Sequence, residues 1–267
     1  MKIFRFAYTP SQLLPYIDWS YFFHSWGIKP ARQSDAEAVG LRDEAVAMLT
    51  DNNEELVYAL FRLCDARGVG DDIYLDGECL PLLRQQHCRP DAPNLCLSDF
   101  VSPRGDKVGL FATSVSGVFG RKGDDPYSCM MYQTLADRLA EAAASLLHSH
   151  VRTCENLWGY SPDEQFTPQE LNAEPYSGIR PAVGYPSLPD QAVIFTIDKL
   201  LSLGEIGITL TPNGAMHPHA SVCGLMFAHP AAKYFSVGKI SDEQLIDYAL
   251  RCGVSVEEKR KFLAANI

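Results

Sequence analysis

Apolar residues at Met131, Leu135, Leu139, Ala142 and Leu146 recur every three or four positions within 129–155. That spacing predicts a long helix with one buried face. Ser34-Asp35-Ala36-Glu37 has the pattern of a capping box and predicts a second helix running to about Asp51. Segments 54–64 (EELVYALFRLC) and 71–79 (DDIYLDGEC) read as strands, the second carrying an Asp76-Gly77 turn signal. ASVCGLMF (220–227) and KYFSVGKI (233–240) read as two further strands joined by Ala228-His229-Pro230. Segment 190–203 reads as a helix, although its run Val193-Ile194-Phe195-Thr196-Ile197 also suits a strand. Two short helices end the chain, one capped by Ser241 with Gln244 and one by Ser255 with Glu258. Helices and strands do not alternate regularly, so the expected class is α+β with a largely antiparallel sheet. No Pro/Gly/Ser linker divides the chain, and a single domain over 1–267 is expected.

Composition narrows the function without naming it. The chain is 46% hydrophobic and 21% charged, ordinary for a globular domain. No apolar run approaches the roughly 18–20 residues of a membrane span, and MKIFRFAYTP is too short and polar for a signal peptide. A cytoplasmic protein is expected. A net charge of −10 argues against binding a nucleic-acid backbone, which calls for clustered Lys and Arg. The eight cysteines, Cys88 among them, form no CxxC pair and no framework spacing, so they read as buried small hydrophobes.

Several chemistries lack their motifs. Gly68-Val69-Gly70 is only the first half of a dinucleotide-binding GxGxxG, and Asp71-Asp72 would repel a phosphate. There is no P-loop, HExxH, GxSxG or DxHxxG. The pairs His148/His150 and His217/His219 invite a metal reading. Residues two apart on a helix diverge, however, and Pro218 divides the second pair, so hydrogen-bonded or solvated imidazoles are expected instead.

The most unusual stretch is YSGIRPAVGYPSLPD at 176–190, with three prolines, two glycines, two tyrosines and one arginine. Prolines restrict the unfolded chain and lower the entropy of ordering a loop whose backbone must be preset for a ligand. Arg180 in such a loop suits a carboxylate through a bidentate pair; the plainer alternatives are a surface arginine or a helix C-cap partner.

The run GIRPAVGYPSLPD resembles the hallmark of the reactivation domain of cobalamin-dependent methionine synthase, which binds S-adenosylmethionine. Other segments follow that family's order: Tyr16-Ile17-Asp18-Trp19 with Phe22-Phe23 and Trp26, Gly70-Asp71-Asp72-Ile73, Leu83-Arg84-Gln85-Gln86, and 97–101. They continue with LADRLAE at 135–141, the AM-x-P-x-x-SV-x-G run at 215–224, and HPAAKYFSVGKI at 229–240. The resemblance extends from about residue 12 to the C-terminus and implies a C-shaped α+β domain with S-adenosylmethionine in its concave face.

Residue by residue, the resemblance implies ligand contacts at Asp18, Arg180, Ala182, Tyr234 and Phe235, a carboxylate near the ligand at Glu141, and a corrinoid-facing phenol at Tyr185. It implies no acid–base catalyst and no protein-bound metal. The side-chain chemistry agrees with these roles. An aspartate at 18 suits the ligand's ammonium, although it also suits a turn cap. Tyr234 and Phe235 could face a sulfonium or an adenine, but on an alternating strand they would point to opposite faces. Glu141 lies off the apolar stripe of its helix, where solvation competes with function. The chain departs from many relatives at Gln191, where a His is usual, and at His217, where a Trp is common. Because it starts at Met1 without DxHxxG, cobalamin is expected on a partner: a methionine synthase lacking its own activation domain, reduced by a flavodoxin-like donor. The alternatives are reactivation of another corrinoid methyltransferase, or a non-catalytic module that senses S-adenosylmethionine.

Overall fold

A computed structural model describes residues 2–86, 92–117, 119 and 122–267; Cys88 lies outside them. In chain order, β1 is Phe4–Tyr8, α1 Pro10–Leu13, α2 Trp19–Ser25, α3 Ala36–Asp51, β2 Val57–Val69, β3 Asp72–Leu75, β4 Glu78–Pro81 and β5 Asp106–Val115. There follow α4 Pro126–Thr153, α5 Pro168–Leu171, α6 Val193–Leu201, β6 Thr209–Leu210, β7 Met216–His217, β8 Ser221–Met226, α7 Asp242–Cys252 and α8 Val256–Phe262.

One six-stranded sheet organises the molecule, in the order β4-β3-β2-β5-β8, with β1 also on β2. Every pairing in it is antiparallel. The 13-residue β2 is long enough to hold β1 at one end of an edge and β3 at the other, while β5 runs along its opposite edge. The β3–β4 hairpin turns on Asp76 and Gly77 at φ 50° and 93°, the left-handed pair a tight two-residue connection requires.

The two-residue period of the strands separates two cores. Val57, Ala59 and Phe61 of β2, Phe111 and Val115 of β5, and Val222 and Met226 of β8 face the core shared with α2, α3 and α4. The alternate residues Leu60 and Cys64, Leu110 and Ala112, and Cys223 and Leu225 face a second core completed by α6. The sheet is therefore covered on both faces. α4 lies along it with Met131, Leu135, Leu139, Ala142 and Leu146 all buried, as the spacing predicts. A third cluster, including Val237, Ile240, Leu245, Tyr248 and Leu263, docks α7 and α8. No helix among the described residues is long and apolar enough to cross a membrane.

Several sequence expectations need correction. The α3 N-cap is Asp35 rather than Ser34, and its carboxylate accepts from Arg32 Nε at 2.9 Å instead of capping. Segment 190–203 is helical within Val193–Leu201. Segment 233–240 forms no strand. Its backbone is taken up elsewhere: Val237 N–H donates to Pro186 O at 2.9 Å, and Phe235 N–H to Ser187 Oγ at 3.0 Å. The serine caps of α7 and α8 form as expected, accepting from Gln244 N at 3.2 Å and Glu258 N at 3.1 Å. Cys64, Cys96 and Cys223 are buried as read, whereas Cys129, Cys154 and Cys252 are half-buried and Cys79 is exposed.

Candidate functional site

The proline-rich stretch is a strap laid against the outer edge of β8. Ile179 and Phe227 exchange backbone hydrogen bonds at 3.0 and 2.9 Å; Leu225 N–H donates to Pro181 O at 3.0 Å and Val183 N–H to Cys223 O at 2.9 Å. Alternation in extended backbone turns Ala182 N–H away from β8. The close approach depends on Gly224, where a Cβ would stand 2.2 Å from Pro181 O and 2.8 Å from Ala182 Cα. Gly178, at φ 84°, likewise leaves no room for a side chain against Phe227 O. Beyond Ala182 the strap folds on itself, with Leu188 N–H donating to Tyr185 O at 2.8 Å and Gly184 N–H to Leu188 O at 2.9 Å. These bonds make the strap a fixed wall.

Between strap and α4 lies a cleft of about 660 Å³. Asp18, Glu141, Arg180, Ala182, Tyr185, Tyr234 and Phe235, the full set of site residues the sequence singles out, line it together. Arg180 is its centre. The side chain is 16% exposed; Nη2 donates to Ser145 Oγ at 3.0 Å and Nη1 lies 3.5 Å from Glu141 Oε2, while the buried Nε has no partner. Burial disfavours this cation, but Glu141 and the Tyr234 and Tyr176 phenols outweigh that effect and its pKa is raised.

Glu141 also accepts from Tyr185 OH at 2.7 Å, so it joins the strap's arginine to the strap's tyrosine. Burial, then the Glu141 carboxylate, push the Tyr185 phenol up. Tyr234 OH accepts from Arg180 N–H at 3.0 Å, and burial raises that phenol to about 12. Tyr234 and Phe235 reach one cleft because their segment is not a strand, against the opposite-face expectation. Asp18 caps α2, accepting from Ser20 N–H at 2.9 Å, as the capping alternative expects, and it also borders the cleft.

Arg138, Ser145, Glu174 and Tyr176 also line the cleft and are not singled out by the sequence. Arg138, Glu141 and Ser145 occupy i, i+3 and i+7 of α4, one polar stripe that helical spacing from Glu141 reveals. Glu174 and Tyr176 immediately precede the strap and also line the cleft. Partial burial raises the Glu174 carboxyl while Arg180 opposes the shift. Behind Tyr176 stand Arg152, its guanidinium 3.9 Å from the ring centroid, and His148, edge-on at 5.1 Å. Arg152 is held by a buried bidentate pair with Glu164 at 2.6–3.0 Å. His148 shares a 3.0 Å hydrogen bond with Tyr160 OH, and burial followed by Arg152 and Arg180 drives its pKa well below the usual imidazole value. Among the described residues no group of three or more His, Cys, Asp or Glu is placed to hold a metal.

Gln191 and His217 lie off the cleft. Gln191 Nε2 donates to Gly214 O at 2.8 Å, and its Oε1 packs where a Cβ on Gly184 would come, at 2.7 Å, so it braces the strap. His217 is exposed on β7.

The fold and cleft define an α+β domain whose cleft sets one largely buried guanidinium among carboxylates and phenols. Residues 10–253 match the family model "Vitamin B12 dependent methionine synthase, activation domain". A crystal structure of the MetH reactivation domain bound to AdoHcy superposes with a TM-score of 0.93 at 35% identity, covering 100% of this chain and 90% of that one. The chain belongs to the methionine synthase activation-domain family.

Proposed function

We propose that this protein binds S-adenosylmethionine in the strap–α4 cleft and presents its methyl group to a corrinoid. The observation that carries the reading is Arg180, largely buried in the cleft with Nε unpartnered and carboxylates and phenols around it. The ligand's carboxylate suits this guanidinium; Asp18 and Glu174 offer anions to its ammonium; the Tyr234 and Phe235 rings offer faces to sulfonium or adenine. A volume of about 660 Å³ lies within the range of small-molecule sites. The relative whose structure is matched was crystallised with AdoHcy, the demethylated form of the same molecule.

In the reaction proposed, the sulfonium S–CH₃ bond breaks, the methyl passes to reduced cobalt, and S-adenosylhomocysteine leaves. The electron that reduces the cobalt comes from a flavodoxin-like donor. The corrinoid is held outside these 267 residues, which contain no DxHxxG, on a separate cobalamin-dependent methionine synthase. The domain's work is positioning and exclusion of water: Arg180 fixes one end of the ligand, Tyr185 stands beside the acceptor, and no side chain acts as acid or base. Ligand at about 100 times its Kd is expected to add roughly 2.7 kcal/mol of stability, about 5–10 °C in Tm. Absence of any shift at millimolar S-adenosylmethionine would contradict the reading. With a corrinoid-loaded synthase and a low-potential reductant, methyl label is expected on cobalt; label passing to a small molecule without a corrinoid protein would overturn the acceptor assignment.

A further inference from the structure

The polar stripe of α4 changes character along its length. Ser145 accepts from Arg180 at 3.0 Å, and Glu141 serves both Arg180 and Tyr185. Arg138, about 10 Å along the helix from Ser145 at 1.5 Å per residue, has no ion pair among the described residues, and its buried Nε has no hydrogen-bond partner. The guanidinium is held 5.4 Å from the Tyr21 ring. Tyr21 and Tyr185, 60% and 52% exposed, mark this as the open end of the cleft.

The acids of this end are already committed. Asp137 faces His219 Nδ1 at 3.5 Å, Glu141 accepts from Tyr185, and Asp18 caps α2. Arg138 is therefore left with donor capacity that none of the acids of this end takes up. The S-adenosyl ligand's single carboxylate is accounted for by Arg180, at the other end of the stripe. What must come to the open end is the methyl acceptor. A corrin macrocycle carries neutral amide side chains around its rim, whose carbonyl oxygens are acceptors. A guanidinium lying over a phenol ring keeps its N–H edge free for such in-plane acceptors.

We propose that Arg138 anchors the incoming corrinoid by donating to its peripheral amide carbonyls, so that it sets affinity for the acceptor and not for the S-adenosyl ligand. This rests on the methyl-presenting reading above. The test uses the full chain. AdoHcy is titrated first by calorimetry; dicyanocobinamide, a macrocycle with its amides intact, is then titrated at saturating AdoHcy by equilibrium dialysis. Arg138→Ala is expected to weaken cobinamide about 10-fold, as for loss of a charge-assisted donor, while AdoHcy affinity stays within about 2-fold; Arg138→Lys is expected to restore part of the loss. A 10-fold loss of AdoHcy affinity in Arg138→Ala would assign the residue to the small ligand and overturn the proposal. So would unchanged cobinamide affinity, no cobinamide binding by the wild type at millimolar concentration, or tighter binding of the carboxylate-bearing cobyrinic acid, which would make Arg138 an anion site. Failure of the wild type to bind AdoHcy, seen in the first titration, would strike the underlying reading itself.

Discussion

The strap carries a cation–carboxylate–phenol cluster at each end, and the two are built to opposite specifications. At its C-terminal end Asp190 accepts from Lys259 Nζ at 2.5 Å, Tyr248 OH at 2.7 Å and Ala192 N–H at 2.8 Å. The Lys259 and Asp190 side chains are 6% and 2% exposed, and none of the three side chains has an unpartnered polar atom. At the other end the Arg180–Glu141 pair is looser at 3.5 Å, 16% and 26% exposed, and leaves Arg180 Nε without a partner. Burial with every valence satisfied holds a structure together; burial with a donor left over stores capacity for something else. One end fastens the strap to α7 and α8, and the other lines the cleft.

The largest expected effect breaks the fastened end. Lys259→Met leaves the Asp190 carboxylate buried without its cation and is expected to cost about 3–5 kcal/mol, a fall of roughly 10 °C in Tm. A thermal melt within about 2 °C of wild type would show that the two ends do not differ as described.

Between the ends, Gly224→Ala places a methyl against Pro181 O and Ala182. It is expected to cost about 1–3 kcal/mol, as for overpacking, and also to weaken AdoHcy because the wall shifts. Loss of stability with ligand affinity intact would separate the strap's middle from the site.

The smallest effect concerns the wall behind Tyr176. His148 is neutral in the fold, walled in by Tyr160, Tyr176, Arg152 and Arg180, with its pKa lowered. The unfolded state then binds a proton that the native state does not. His148 contributes no pH dependence above about 6.5, and below it stability falls by up to about 1.4 kcal/mol per pH unit. Denaturant melts of wild type and His148→Gln from pH 7.5 to 5 are expected to differ in slope only below about 6.5; parallel curves would mean that His148 protonates freely in the fold.

Local signals carried much of this into view. The 3–4 period of α4, the Asp76-Gly77 turn and the Ser241 and Ser255 caps are set by nearest neighbours, so the sequence shows them. Segment 233–240 misled because its alternation suits a strand, while its hydrogen bonds go to Ser187 and Pro186 almost fifty residues earlier. The cleft itself was legible through the family motifs. Glu174 and Tyr176 carry no motif of their own and matter because the fold brings them to Arg180, while Arg138 shows only as the helical neighbour of Glu141. The pairing of the strap with β8 has no local sequence signal, since the reason for it, the missing side chain at Gly224, appears only once the two backbones meet.

Whether the Arg180 end of the strap is a binding site or a weakened structural one is tested most directly by calorimetric titration of AdoHcy into wild type and Arg180→Ala. One ligand per chain is expected for the wild type, with affinity about 10- to 100-fold lower in the variant and a melting temperature changed by no more than a few degrees. Equal affinity in both proteins, or a variant that no longer folds, would place Arg180 with Lys259 among the residues that only hold the structure together.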